Sequence, residues 1–105
     1  MSLRRRYEIL LPLQFNDGQD VPVSLLWQTL DELEGHIGAV SWESQVVRGF
    51  WQHEGGVFRD NNTRLFMFVQ DTPENRAFFI ALKETLKERF QQVDIWITSH
   101  AIDVI

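Results

Sequence analysis

The sequence predicts an α+β domain in which one antiparallel sheet carries two helices on a single face. Three observations predict it. Apolar residues alternate with polar ones over about residues 5–13, 39–47, 63–70 and 93–98, as in half-buried strands. Two stretches between them repeat apolar residues at three- and four-residue spacing, as in amphipathic helices. The order is strand, helix, strand, strand, helix, strand, within 105 residues that hold no repeat, low-complexity run or linker, so residues 1–105 form one domain. A composition of 44% hydrophobic and 24% charged residues excludes disordered, collagen-like and coiled-coil chains.

The first strand sets Tyr7, Ile9, Leu11 and Leu13 against Glu8, Leu10 and Pro12, and Pro12, which cannot donate to a ladder, marks its fading end. Gln14 to Asp20 is rich in turn formers and reads as a loop. Pro22 and Ser24 open a helix with Val23, Leu26, Trp27, Leu30 and Leu33 on one stripe, and Gly35 is placed to stop it in a left-handed conformation. The second strand sets Val40, Trp42 and Val46 against Ser41, Glu43 and Gln45. The third sets Leu65, Met67 and Val69 against Phe66 and Phe68. Gly55-Gly56 is a two-residue hairpin signal between them, and that tip pairs Val46 with Leu65, Ser44 with Met67 and Trp42 with Val69. The apolar faces then match, as a half-buried hairpin requires.

Thr72-Pro73-Glu74 is a helix start: a hydroxyl cap, a proline whose missing N–H costs nothing there, and an acid in the first turn. Phe78, Phe79, Leu82, Leu86 and Phe90 form its buried stripe, and Lys83, Lys87 and Arg89 suit the carboxyl end of the dipole. Val93, Ile95 and Ile97 alternate with Asp94, Trp96 and Thr98 in a fourth strand. Ala101 to Ile105 adds a short carboxyl-terminal edge strand.

This βαββαβ order is the ferredoxin-like arrangement, with spatial strand order 4-1-3-2. Helices covering Ile9, Leu11, Leu65, Met67, Ile95 and Ile97 leave Leu10, Phe66, Phe68 and Trp96 on the opposite face. A contiguous apolar patch of that kind marks an interface. The expectation is a homo-oligomer, dimer or trimer, joined through the open sheet face.

Several chemistries are excluded. The chain has no cysteine, so it holds no disulfide, thiolate site or cysteine nucleophile. His36, His53 and His100 occur in no metal-binding spacing, so neither a metal nor a cofactor is expected. The net charge of −5 is lopsided: Glu8, Asp17, Asp20, Asp31, Glu32, Glu34, Glu43 and Glu54 face only Arg48 across residues 8–58. Nucleic-acid binders concentrate the opposite sign, so no nucleic acid is expected as partner, aromatic third strand notwithstanding. No apolar run reaches bilayer length, and Arg4-Arg5-Arg6 leads into a strand rather than a leader's apolar core. A cytoplasmic protein with no membrane contact is expected.

Val46-Val47-Arg48-Gly49-Phe50, with Gly55 soon after, resembles the end of the second strand in PII nitrogen-signalling proteins. Ile95-Trp96-Ile97-Thr98-Ser99 followed by Ile102-Asp103-Val104-Ile105 is similar to their carboxyl end. The resemblance to PII and CutA-like proteins implies a trimer that buries the open sheet face, and it carries Arg48 and Gly49 over as ligand contacts. Trp51 departs from the glycine of the family's nucleotide-contacting turn. Gln91-Gln92-Val93-Asp94 replaces its basic and glycine-rich phosphate contacts.

The functional expectation is a non-enzymatic oligomeric binding or regulatory module, with a small-molecule ligand held by Arg48, Gly49, Trp51 and His53. The alternative is a small enzyme of the dimeric α/β-barrel type, with an aromatic pocket between sheet and helices lined by Trp27, Trp42 and Phe79. Independently of that pocket, Glu43 projects from a strand and is a candidate base if it lines a pocket.

Overall fold

A computed structural model describes residues 2–105. The elements are β1 (Ser2–Pro12), α1 (Val23–Ile37), β2 (Ser41–His53), β3 (Gly56–Gln70), α2 (Pro73–Arg89) and β4 (Ile97–Val104). The four strands form one antiparallel open sheet in the order β2-β3-β1-β4, which read from the other edge is 4-1-3-2. With two helices it matches a ferredoxin-like α+β fold.

The core lies on one side of the sheet. Tyr7, Ile9 and Leu11 of β1 and Leu65, Met67 and Val69 of β3 bury against Leu26, Leu30 and Leu33 of α1 and Phe79, Leu82 and Leu86 of α2, with Phe90 and Ile95 closing the end. Each fully buried side chain of this size contributes about 1.5–3 kcal/mol of apolar transfer energy. Tyr7 stacks on Phe79 with ring centroids 3.8 Å apart.

Helix α1 runs past Gly35 and ends at Gly38, whose φ of 98° is left-handed and whose N–H donates to the Glu34 carbonyl. The expected stop at Gly35 is therefore three residues early. Ile37 packs against the core, which offsets the roughly 1 kcal/mol cost of a mid-helix glycine. Val23 and Trp27, expected on the buried stripe, are exposed, and Thr29 takes that side instead. Its buried hydroxyl donates to the Leu25 carbonyl at 2.8 Å and accepts from Arg89 Nη1 at 2.9 Å. Arg89 also forks onto Glu32, which locks the carboxyl end of α2 to α1.

The hairpin turn falls at Glu54-Gly55, both with positive φ (49° and 79°) as a type I′ turn requires, and not at Gly55-Gly56. That places His53 opposite Gly56 and moves the pairing by two residues. A bulge between Glu43 and Val47 moves it by two more, so Trp42 lies opposite Leu65 rather than Val69. Both shifts are even, so Trp42 keeps its expected face, where its indole N–H donates to Thr63 Oγ1 at 2.7 Å. Beyond the pair Pro12–Asn62, β1 no longer flanks β3. The rest of the hairpin then projects as an arm along a molecule 45 Å in its longest dimension.

The carboxyl end departs from expectation. Residues 93–96 are not a strand, and β4 is one continuous strand from Ile97 to Val104 rather than a fourth strand followed by a separate edge strand. Gln91 with a φ of 54° turns the chain, Asp94 accepts from the Ile95 N–H at 2.9 Å, and the Trp96 carbonyl, accepting from the Leu10 N–H at 3.1 Å, leads into β4. Lys83 Nζ lies 3.0 Å from Asp94 Oδ1, and this contact, ahead of the others, holds the Asp94 carboxyl below its ordinary pKa.

Two predictions follow from this packing. At the start of α2, Thr72 Oγ1 accepts from the Asn75 N–H at 3.2 Å. Thr72→Ala is expected to cost about 1 kcal/mol and lower Tm by about 4–8 °C in thermal unfolding, while Thr72→Ser restores it. Because the Asp94 pKa is lowered on folding, its contribution to stability is present above the ordinary carboxylate pKa and lost as pH falls through the folded value. Lys83→Met is expected to move the Asp94 titration midpoint, followed by carboxyl NMR shifts, back up toward the ordinary range; an unmoved midpoint contradicts the assignment.

Candidate functional site

Strand register places Arg4, Arg6, Glu8 and Leu10 of β1 on the face away from the helices, beside Arg64, Phe66 and Phe68 of β3, Glu43 of β2 and His100 and Ile102 of β4. The centre of this face is a charge ladder. Arg6 Nη1 donates to Glu8 Oε1 at 3.0 Å, Arg64 Nε lies 3.1 Å from the same oxygen, and Arg64 Nη1 donates to Glu43 Oε2 at 3.2 Å. The buried Arg64 Nε is not aligned for a hydrogen bond, so its contact with Glu8 is ionic only. The Arg6 guanidinium also lies over the Phe66 ring, 4.5 Å from its centroid, and 5.9 Å from that of Phe68. Phe66 and Phe68 meet edge to face.

Of the four residues expected to form an apolar interface, Leu10 and Phe66 are half-buried, Phe66 under Arg6. Phe68 is 47% exposed and Trp96 66% exposed. Trp96 sits in the connection before β4 rather than on a strand. The ladder through Glu8, Arg64 and Glu43 was missed by pattern reading, which weighed hydrophobic side chains. The signal was the period-two placement of Arg4, Arg6 and Glu8 opposite Tyr7, Ile9 and Leu11.

The expected ligand residues Arg48, Gly49, Trp51 and His53 all lie on the arm. Trp51 and His53 share the open face with ring centroids 6.0 Å apart, Trp51 stacks on Phe58 at 4.7 Å, and its indole N–H donates to Asp60 Oδ2 at 2.8 Å. Gly49 lies opposite Asp60 on the same side. Strand alternation sends Arg48 to the other face, so the four residues do not converge on one point. That other face carries Phe50, with Arg59 over its ring at 5.9 Å. Phe50, Trp51, Val57 and Phe58 are all exposed on the arm.

Two concavities adjoin these elements. One, of about 450 Å³, lies at the far end of the open face from the arm and is lined by Arg4, Phe68, Ile102, Asp103, Val104 and Ile105. The other, of about 520 Å³, runs between the helices, where the His36 ring lies flat on Phe78 at 3.8 Å. The aromatic pocket expected between sheet and helices is not formed by its three residues. Phe79 is packed against Tyr7, and Trp27 and Trp42 meet edge to face at the surface, 5.8 Å apart.

On the helix side of β1, Arg5 Nε donates to Asp71 Oδ1 at 3.0 Å, and that hydrogen bond raises the Arg5 pKa above its ordinary value. Among the described residues no group of three or more His, Asp or Glu is able to hold a metal ion. No helix among them is long and apolar enough to cross a membrane.

No protein-family model matches the chain, and no curated protein does. Solved structures share its fold, two of them of a phage SAM lyase. A phage SAM lyase in complex with S-methyl-5'-thioadenosine superimposes with a TM-score of 0.68 at 15% identity, covering 96% of this chain and 90% of that one. A phage SAM lyase in the apo state gives a TM-score of 0.59 at 15% identity, covering 98% of this chain and 90% of that one. The expectation of a non-enzymatic binding or regulatory module is thereby corrected: these two solved structures, which share the architecture nearly end to end, are of an enzyme, one of them holding S-methyl-5'-thioadenosine.

Proposed function

We propose that this chain is a lyase of S-adenosylmethionine that releases S-methyl-5'-thioadenosine. The observation that carries the reading is the likeness, over 96% of the chain, to a phage SAM lyase in complex with that thioether. The chemistry is compatible with a domain this small. The bond between the sulfonium sulfur and the methionine γ-carbon breaks, and its electron pair stays on sulfur, so the leaving group needs no proton. The substrate's own carboxylate oxygen closes on the γ-carbon to form a lactone, so no base and no water enter the step. What remains for the protein is to bind a cation, fold its amino-acid chain into the closing geometry and exclude water.

The open face supports such a role. A sulfonium is attracted by aromatic faces and carboxylates; Glu8 lies opposite Phe66, whose ring Arg6 covers, and Arg64 joins Glu8 to Glu43, the more exposed of the two carboxylates. Glu43, 41% exposed at its side chain, is the carboxylate we assign to the sulfonium. The chain's net charge of −5 favours encounter with a substrate of net positive charge. Incubation with S-adenosylmethionine is expected to yield S-methyl-5'-thioadenosine and homoserine lactone in equal amounts by chromatography and mass spectrometry. Glu43→Gln is expected to lower kcat/KM roughly tenfold, about 1.4 kcal/mol. Product no higher than in a protein-free control overturns the reading.

We also propose that copies of the chain associate through the open sheet face, as the PII- and CutA-like resemblance implies. The exposed Phe68 and the exposed aromatics of the arm support it, since a lone domain seldom leaves such a surface in water. Phe68→Glu is expected to convert the assembly to monomers in native mass spectrometry; an unchanged mass contradicts this.

A further inference from the structure

The arm and the groove at the two ends of the open face are complementary, and one chain cannot bring them together. On the arm, Trp51 and Phe58 stack into an exposed apolar wedge, with the Asp60 carboxylate beside it anchored by the Trp51 indole. Among the described residues Asp60 has no cationic partner within ion-pairing distance. At the other end, Phe68, Ile102, Val104 and Ile105 line a concavity of about 450 Å³ rimmed by Arg4 and Asp103. Among the described residues Arg4 has no carboxylate partner. Asp60 and Gln70, the residue opposite Arg4, are separated by ten positions of one extended strand, about 33 Å. The arm and the groove lie at opposite ends of this one extended strand, so an intrachain contact is excluded.

We infer that the arm of one copy docks in the Arg4–Phe68–Ile102 groove of another, with the Trp51–Phe58 wedge in the concavity and Asp60 paired with Arg4. The occupant is a second copy of this chain because the wedge, the groove and the unpaired charges of opposite sign all belong to the same molecule. Two different patches meet at each contact, arm against groove. A reciprocal pair or a closed ring satisfies every arm and every groove, whereas an open arrangement propagates. The inference rests on the self-association proposed above and specifies which residues meet; it is independent of the lyase reading.

The absence of native cysteine supplies a clean test. An Arg4→Cys/Asp60→Cys variant is compared with each single variant under mild oxidation, after native mass spectrometry has counted its subunits. A disulfide linking chains in most of the double variant, and in neither single variant, supports the contact. An oligomer whose double variant cross-links no more than the single variants overturns the docking while leaving the self-association standing. A monomeric wild type overturns both. Charge reversal is the second measurement, with far-ultraviolet circular dichroism verifying the fold. Arg4→Glu and Asp60→Arg are each expected to weaken association at least tenfold, and the combined variant to recover it. A combined variant as weak as either single one overturns the pairing.

Discussion

The pairing of β1 with β3 is the constraint on which the rest of the structure depends. It sets Tyr7 against Met67 and Ile9 against Leu65, so that one face of two central strands enters the core as a block. The same register sets Arg6 against Phe68, Glu8 against Phe66 and Leu10 against Arg64 on the other face. A slip of one residue sends the core residues into water and the arginines under the helices, a change far larger than the stability of a domain this size. Core and open face are therefore fixed by one register, and the charge ladder is as strongly specified as the hydrophobic interior behind it.

The helices read this sheet from one side only. Arg89 joins their carboxyl halves through Glu32 and Thr29, where a bidentate ion pair and a neutral hydroxyl share one guanidinium. Few polar contacts of this kind are needed, because the apolar stripes already determine the packing. The open face works differently. There Arg6, Arg64, Glu8 and Glu43 are paired with each other across three strands, and the rings of Phe66 and Phe68 lie beneath or beside them. A surface of this composition suits a charged ligand or a second protein surface better than bulk water.

Element order, the strand–helix periodicities, the Thr72 cap and the face assignment of Trp42 were legible in the sequence because each rests on local chemistry or parity. The register of the hairpin was not. Glu54-Gly55 and Gly55-Gly56 are both acceptable two-residue turns, and the choice between them is made by pairing along the arm. Nor was the end of α1, where Gly35 and Gly38 both carry the stop signal and Ile37 decides between them by packing. The connection at 93–96 alternates like a strand, yet the Ile95 N–H goes to the Asp94 side chain and only Trp96 bonds to β1. At the candidate site, Arg48, Gly49, Trp51 and His53 were legible as one segment of the hairpin, since they follow one another along it. The pairing of Glu8 with Arg64 and Glu43 was not, since it joins residues from three strands.

The bulge between Glu43 and Val47 divides the hairpin into two independently registered segments. Below it, pairing is dictated by the core; above it, by the turn. A pair of residues gained or lost near the tip changes only the upper segment, and the lower one keeps Trp42 beside Leu65. The arm is in this sense a replaceable attachment. Its length and tip sequence decide what it reaches, and a change there leaves the packing of the domain that carries it untouched.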